Sequence, residues 1–345
     1  MRISSIECGR VLAILAVMTI HISPFSNPFD PTLWGDPLYL WLGGTINQLS
    51  RFAVPLFFLC AGYFLQPRLA TDNPMEVALR YCRPLLLLWL GWSLIYLLVP
   101  FNPVAAVQQG YLPAMAGQWQ MQVGDLLNVW WVGGMIHLWF LPALILAVLI
   151  LALCQRGGLP QLALVIGVPL YLLALLGGSY GKPLLGGEWA LLTRNGPFFS
   201  LLFVALGAYL RARRWRPDAR RSVLLMAAGL TLYALEAIGL LHFAEVPLNR
   251  HDFLLGSIPW TLGLFGLLLA NPDWGKGSWL ERQAPKVLGL YCLHMMLVVW
   301  LMVFGPQSKL VWWELLKVPA LLACTLLAYR LLDCTPASRW LLRAR

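Results

Sequence analysis

Long apolar runs constrain this chain more than any other feature. Pro84–Pro100, Leu138–Leu153 and Leu159–Leu176 each hold about 16–18 residues. At about 1.5 Å per helical residue, such a run nearly crosses the roughly 30 Å hydrocarbon core of a bilayer. Hydrophobic residues make up 59% of the chain and charged ones only 12%. Soluble domains carry about twice that charge, so a soluble α/β enzyme and a disordered chain are both excluded. The runs are continuous and not alternating, which argues against a transmembrane β-barrel. The expected fold is an all-α integral membrane bundle forming a single domain over 1–345. About ten helices fit, near 8–26, 47–66, 81–100, 136–154, 159–177, 194–212, 221–242, 252–270, 286–305 and 311–333.

The stretch 27–46, with Pro28, Pro31 and Pro37 among Trp34, Tyr39 and Trp41, predicts a re-entrant or interfacial segment. Arg2 ahead of Val11–Ile20 imitates a signal peptide, but no small-x-small cleavage site follows, so this run is expected to stay as the first helix. No soluble domain is expected after the last span.

The net charge is +10. On a soluble protein that would suggest nucleic acid; here topology is the simpler cause, since basic residues hold loops on the cytoplasmic side. With the N-terminus inside, all but six of the 25 Lys and Arg fall on cytoplasmic segments or adjoining helix ends, the six being Arg51, Lys182, Arg194, Arg250, Lys309 and Lys317. The stretch 101–135, expected as a long outer loop, has none. The reading is N-in, C-in, with no nucleic-acid partner. The dense run Arg211–Arg221 reads as a topology anchor on anionic lipid, with contact to a cofactor's phosphates as the sharper alternative. The seven cysteines are scattered, without CxxC or a Cys/His cluster, so neither zinc nor a disulfide framework is expected.

Ionisable groups inside a span are costly, and each marks a functional hypothesis. The first helix carries Glu7, Arg10 and His21. Arg10 and His21 are eleven residues apart, three turns plus about 20°, so they share one face about 16 Å apart along the axis. Glu7 precedes Arg10 by three and can neutralise it. This line of groups is expected to face a common pocket. His21 can take and return a proton near neutrality; a histidine merely hydrogen-bonded within the bundle is the alternative. Arg51 opens the second span, ahead of a helix-breaking Pro55, and could simply snorkel to the interface. His137 and Trp139 open the fourth span, where Trp139 could belong to an aromatic belt. Tyr291 and His294, three apart, share a face of the ninth. Glu236 sits in the seventh span, more in keeping with a structural role. Gln118, Trp119 and Gln122, in 101–135, could serve sugar hydroxyls, with interfacial anchoring as the plainer reading.

Four signatures in order resemble the acyltransferase 3 family of membrane enzymes that O-acylate surface carbohydrates and other acceptors. They are Glu7-x2-Arg10-x10-His21; Arg51 with Val54-Pro55-Leu56-Phe57-Phe58 and Ala61-Gly62; His137-Leu138-Trp139-Phe140-Leu141; and Gly289-x-Tyr291-x2-His294. The likeness covers 6 to about 333. Departures are Glu at position 7 where Asp is usual, Val11-Leu12-Ala13 where a Gly is common, and Ala61 where Ser is common. The resemblance implies a multi-pass protein of the bacterial inner membrane. Its donor would be acyl-CoA, usually acetyl-CoA, as a co-substrate, and its acceptor a glycan or lipid-linked sugar; no metal is implied. It further implies His21 as general base or transient acyl carrier, and Arg10 on the donor, held by Glu7. Arg51, His294, Tyr291, His137 and Trp139 would serve the acceptor, the oxyanion or the pocket wall. A transporter or flippase of a lipid-linked or acylated molecule is the competing class, since intramembrane His and acidic groups also carry protons; the absence of repeated halves weighs against it.

Overall fold

A computed structural model describes residues 2–26, 37–306 and 310–342. No strand occurs among them. The helices are α1 (Ser4–Ile22), α2 (Pro37–Leu49), α3 (Ala53–Thr71), α4 (Pro74–Leu98), α5 (Pro103–Gln109), α6 (Tyr111–Val123), α7 (Leu126–Val132), α8 (Phe140–Arg156), α9 (Leu162–Gly177), α10 (Gly181–Leu185), α11 (Pro197–Ala212), α12 (Ala219–Ala244), α13 (Ser257–Ala270), α14 (Trp279–Gln283), α15 (Val287–Phe304), α16 (Val311–Asp333) and α17 (Ser338–Leu341).

Seven stretches among the described residues are long and apolar enough to cross a membrane: α1, Trp41–Thr71, α4, Ile136–Arg156, α12, Trp279–Phe304 and α16. Three further apolar helices, α9, α11 and α13, are shorter, with 16, 16 and 14 residues. All ten expected spans therefore fall on apolar helices, but three are short for a roughly 30 Å core. Two other expectations change, those for 101–135 and for Pro55. The stretch 101–135 is not an open loop, since α5, α6 and α7 fill most of it. Of 27–46, residues 27–36 lie outside the described residues, and the remainder belongs to α2. Pro55 does not break its helix. It sits in the first turn of α3, where a missing N–H leaves no bond unmade.

Helix α1 is the hub, packing on α3, α13, α14, α15 and α16. Its start is tied to the end of α13: Ser5 donates its hydroxyl to the Leu268 carbonyl at 2.6 Å and its N–H to Pro272. Its end is a left-handed residue, Ser23, at φ 47, whose N–H returns to the Thr19 carbonyl before Pro24 forbids continuation. α11 lies against α3, α8 and α9. The α3–α11 contact is close because glycines meet backbone on both sides. A Cβ on Gly62 would strike the Val204 carbonyl, and one on Gly207 the Leu59 carbonyl. Small residues at such a crossing let two backbones touch.

Candidate active site

One cavity of about 620 Å³ runs along α1 between α3, α8 and α15. Its charged lining lies at one end of these antiparallel helices: Arg2, Glu7 and Arg10 at the start of α1, Arg68 at the end of α3 and Arg211 at the end of α11. Arg10 donates to Glu7 at 3.1 Å. Arg211 lies over the Tyr63 ring at 5.1 Å and donates to its hydroxyl at 3.3 Å. The deep end is apolar, lined by Val17, Val54, Phe57, Phe140, Leu144 and Tyr291. The dense basic run thus divides: Arg211 belongs to the cavity, while Arg213 and Arg214 are exposed.

The cavity ends one helical turn short of His21. Arg10 lines it and His21 does not, so the single shared pocket expected from the spacing is interrupted by a thin aromatic floor. That floor is Phe140 and Tyr291, whose rings lie 5.6 Å apart. Behind it three imidazoles gather from three distant segments. His21 is 5.3 Å from His294 and 6.3 Å from His137 between ring centroids, and His137 is 5.1 Å from His294. His137 and His294 are fully buried, whereas His21 is half-buried and the most accessible. No group of three or more His, Cys, Asp or Glu among the described residues is disposed to hold a metal ion.

Hydrogen bonding fixes the state of His294. Its Nδ1 lies 2.6 Å from the Tyr291 carbonyl. A carbonyl has no proton to give, so Nδ1 carries the hydrogen and Nε2 the lone pair. That Nε2 is buried and has no partner among the described residues. Tyr291 in turn donates its hydroxyl to the His137 carbonyl, which locks α15 to the short 3-10 turn carrying His137. Tyr96, which nothing in the sequence singled out, adds a second lock. Its hydroxyl donates to the Cys292 carbonyl at 2.8 Å and accepts the Met296 N–H at 3.2 Å.

Arg51 does not snorkel. It sits in the turn between α2 and α3 and donates to Asp252 at 2.6 Å, to Asn47 at 3.0 Å and to the Asn249 carbonyl at 3.3 Å. Arg194 holds the other oxygen of Asp252, also at 2.6 Å, and lies over Trp139 at 5.9 Å. Trp139 is therefore an internal ring and not part of a belt. The sequence named Arg194 only as a charge on the wrong side and passed over Asp252. Arg194 stands on a turn before α11 that Asn128 of α7 braces, accepting from Leu192 N–H and Asn195 and donating to the Ala190 carbonyl. Gln118, Trp119 and Gln122 are committed to backbone carbonyls of α4 and its C-terminal end, which fits anchoring. Glu236 accepts from Tyr180, Leu255 N–H and Gly256 N–H, capping the approach to α13. Its role is structural.

Burial alone would raise the Asp252 carboxyl; Arg194 and Arg51 outweigh it and hold the group at about 2. A depressed carboxylate contributes stability that is complete above its unfolded value of about 3.9 and fades as pH falls through the folded value. Asp252→Asn is expected to lower the thermal midpoint by several degrees. The gap from the parent should stay constant between about pH 5 and 8 and close only in strong acid. Thermal unfolding in detergent across that range reads it.

The acyltransferase 3 family model, described as an acyltransferase domain, matches residues 3–330. The chain belongs to this family. The family match and the seven long apolar stretches among the described residues mark a multi-pass membrane protein with a domain of the acyltransferase 3 family. It is also similar to a serine/alanine racemase of Enterococcus gallinarum, 28% identical over 85% of this chain and 40% of that protein. An amino-acid racemase of Enterococcus faecalis is 27% identical over 86% of the chain and 41% of its own length. The chain thus spans about two-fifths of these curated relatives. No solved structure matches.

Proposed function

We propose that the chain is an O-acyltransferase of the bacterial inner membrane that moves an acyl group, acetyl in the simplest form, from acyl-CoA to a hydroxyl of a cell-surface or lipid-linked glycan. α9, α11 and α13 complete ten spans, with both termini in the cytosol. The observation that carries this reading is the cavity. Four arginines at its charged end suit the phosphates of the donor, because guanidinium forks match phosphate oxygens. Its apolar throat suits the pantetheine arm and thioester, and its volume lies within the usual range for small-molecule sites. The throat ends against the aromatic floor that supports the three imidazoles.

The acceptor approaches from the His21 end. Its hydroxyl oxygen adds to the thioester carbonyl while the hydroxyl proton passes to His21. The C–O bond forms, the C–S bond breaks, and the departing thiolate recovers a proton. His294 is a positioning residue: its fixed tautomer presents a lone pair beside the His21 ring. Arg51 orients the acceptor, and Arg10, held by Glu7, grips the donor. Phe140 and Tyr291 must part for the acyl group to reach His21. Holding both reactants in line is itself worth several kcal/mol, up to about 7–11 in ideal cases.

Arg10→Ala is expected to raise the apparent donor KM roughly tenfold, the loss of one charge-assisted contact. Arg10→Lys should recover part of that, keeping charge without the fork. Acetyl-CoA consumption by the purified protein is the readout, and unchanged donor dependence in Arg10→Ala would remove the assignment. A transport reading draws support from the continuation of polar groups along α1 beyond the cavity. It predicts no acetyl-CoA consumption, so the same assay separates the two.

A further inference from the structure

At the His21 end of α1, positive charge exceeds what its partners cancel. Arg51 and Arg194 share one carboxylate, each donating to a different oxygen of Asp252. Their side chains are only 12% and 16% exposed. The Arg194 Nε is buried with no hydrogen-bond partner among the described residues, an expensive state for a guanidinium N–H. Among the described residues the other acids near this end of α1 are already engaged: Glu314 accepts from the Phe25 N–H and from Lys317. Glu236 already accepts from Tyr180 and two backbone amides. His251, fully buried beside the cluster, adds no charge near neutrality, since burial first and Arg51 second lower it to about 4. Among the described residues, two guanidiniums against one carboxylate leave one net positive charge. Arg194 lies over Trp139, two residues from His137, whose ring is 6.3 Å from that of His21.

We propose that Arg51, Arg194 and Asp252 form an anion subsite that binds a carboxylate or phosphate carried by the acceptor, and so sets an acceptor hydroxyl against His21. This rests on the acyltransfer reading. Asp252 spaces and orients the two forks, and an incoming anion completes the charge balance and can satisfy the idle Nε. Trp139, under Arg194, restrains the guanidinium. The acceptor class is then an acidic sugar or a phosphate-bearing glycan precursor, and neutral sugars are poor substrates.

Two measurements on the full chain in phosphatidylcholine nanodiscs at low ionic strength test this. In the first, the thermal midpoint is followed against inorganic phosphate, glucuronate and glucose. At least one anion is expected to raise it while glucose does not. Arg194→Gln should lose the shift and Arg194→Lys keep part of it. Phosphate and glucuronate act as separate arms, and the stronger one names the source of the charge. No shift with either anion, or an equal shift in Arg194→Gln, overturns the subsite. In the second, acetyl-CoA consumption is measured with glucose, glucuronate and glucose 6-phosphate as acceptors. A charged acceptor should show a KM roughly tenfold or more below that of glucose, and Arg194→Gln should collapse that preference. Equal KM values with brisk transfer overturn the subsite and leave acyl transfer standing. Anion binding without acetyl-CoA consumption by any acceptor overturns the acyltransfer reading and removes the acceptor from the site.

Discussion

His21→Ala is expected to abolish acyl transfer while the protein reaches the membrane in normal amount. A positioned general base contributes about 10²–10⁴-fold, and His21 is the half-buried and most accessible member of the imidazole group. It lies in the last turn of α1, and Ala favours a helix more than His does, so folding has no reason to suffer. The loss should appear as absent ester signals in the NMR spectrum of surface glycans and as absent acetyl-CoA consumption in vitro. Full activity in this variant would take His21 out of the chemistry. His294→Ala should cost less and act differently. It removes the lone pair beside His21 and the Nδ1 anchor to Tyr291, so kcat should fall and its pH profile should move, with donor KM little changed.

The second large effect is on the fold. Gly62→Ala or Gly207→Ala places a Cβ on a carbonyl of the facing helix. Backbone cannot step aside as a flexible side chain can, so α3 and α11 must separate along their length. Overpacking typically costs about 1–3 kcal/mol, and a backbone-to-backbone clash belongs at or beyond the upper end. The two residues serve one contact, so the double variant should cost less than the sum of the singles. Gly239→Ala is the control. It lies on α12 with nothing within 4 Å of the added atom, and it should be neutral or slightly stabilising through helix propensity. Thermal unfolding and monodisperse yield in detergent compare all four. Equal midpoints for Gly62→Ala and Gly239→Ala would refute the close crossing.

The spans were legible because an apolar run has one solution in a bilayer: the helix. What could not be read is depth and pairing. Nothing in the apolar runs says that the helices there, Leu162–Gly177 and Ser257–Ala270, hold only 16 and 14 residues. The four signatures did identify His21, His137, Tyr291 and His294 as special, and the fold gathers all four. It gathers them across more than 270 positions, a closeness that no local spacing contains. Arg10 and His21 share a face of α1 as the periodicity predicts, yet periodicity is blind to the neighbouring rings, Phe140 and Tyr291, that rise between them. Arg194 and Asp252 escaped notice for a similar reason. Each sits outside a regular helix, where sequence pattern is silent, and their meaning lies in whom they meet. Snorkelling stayed open for Arg51 in the sequence because its partner is 201 positions away.

The Tyr96 hydroxyl engages the Cys292 carbonyl and the Met296 amide, two groups that an undisturbed helix would pair with each other across one turn. A side chain wedged there lets a helix bend, and the contact falls on the turn that bears His294. α4 therefore reaches into α15 on the very turn that carries one of the three imidazoles. Tightening that turn with Tyr96→Phe would leave the packing nearly untouched, shield the Met296 amide from hydrogen exchange, and aim the lone pair elsewhere.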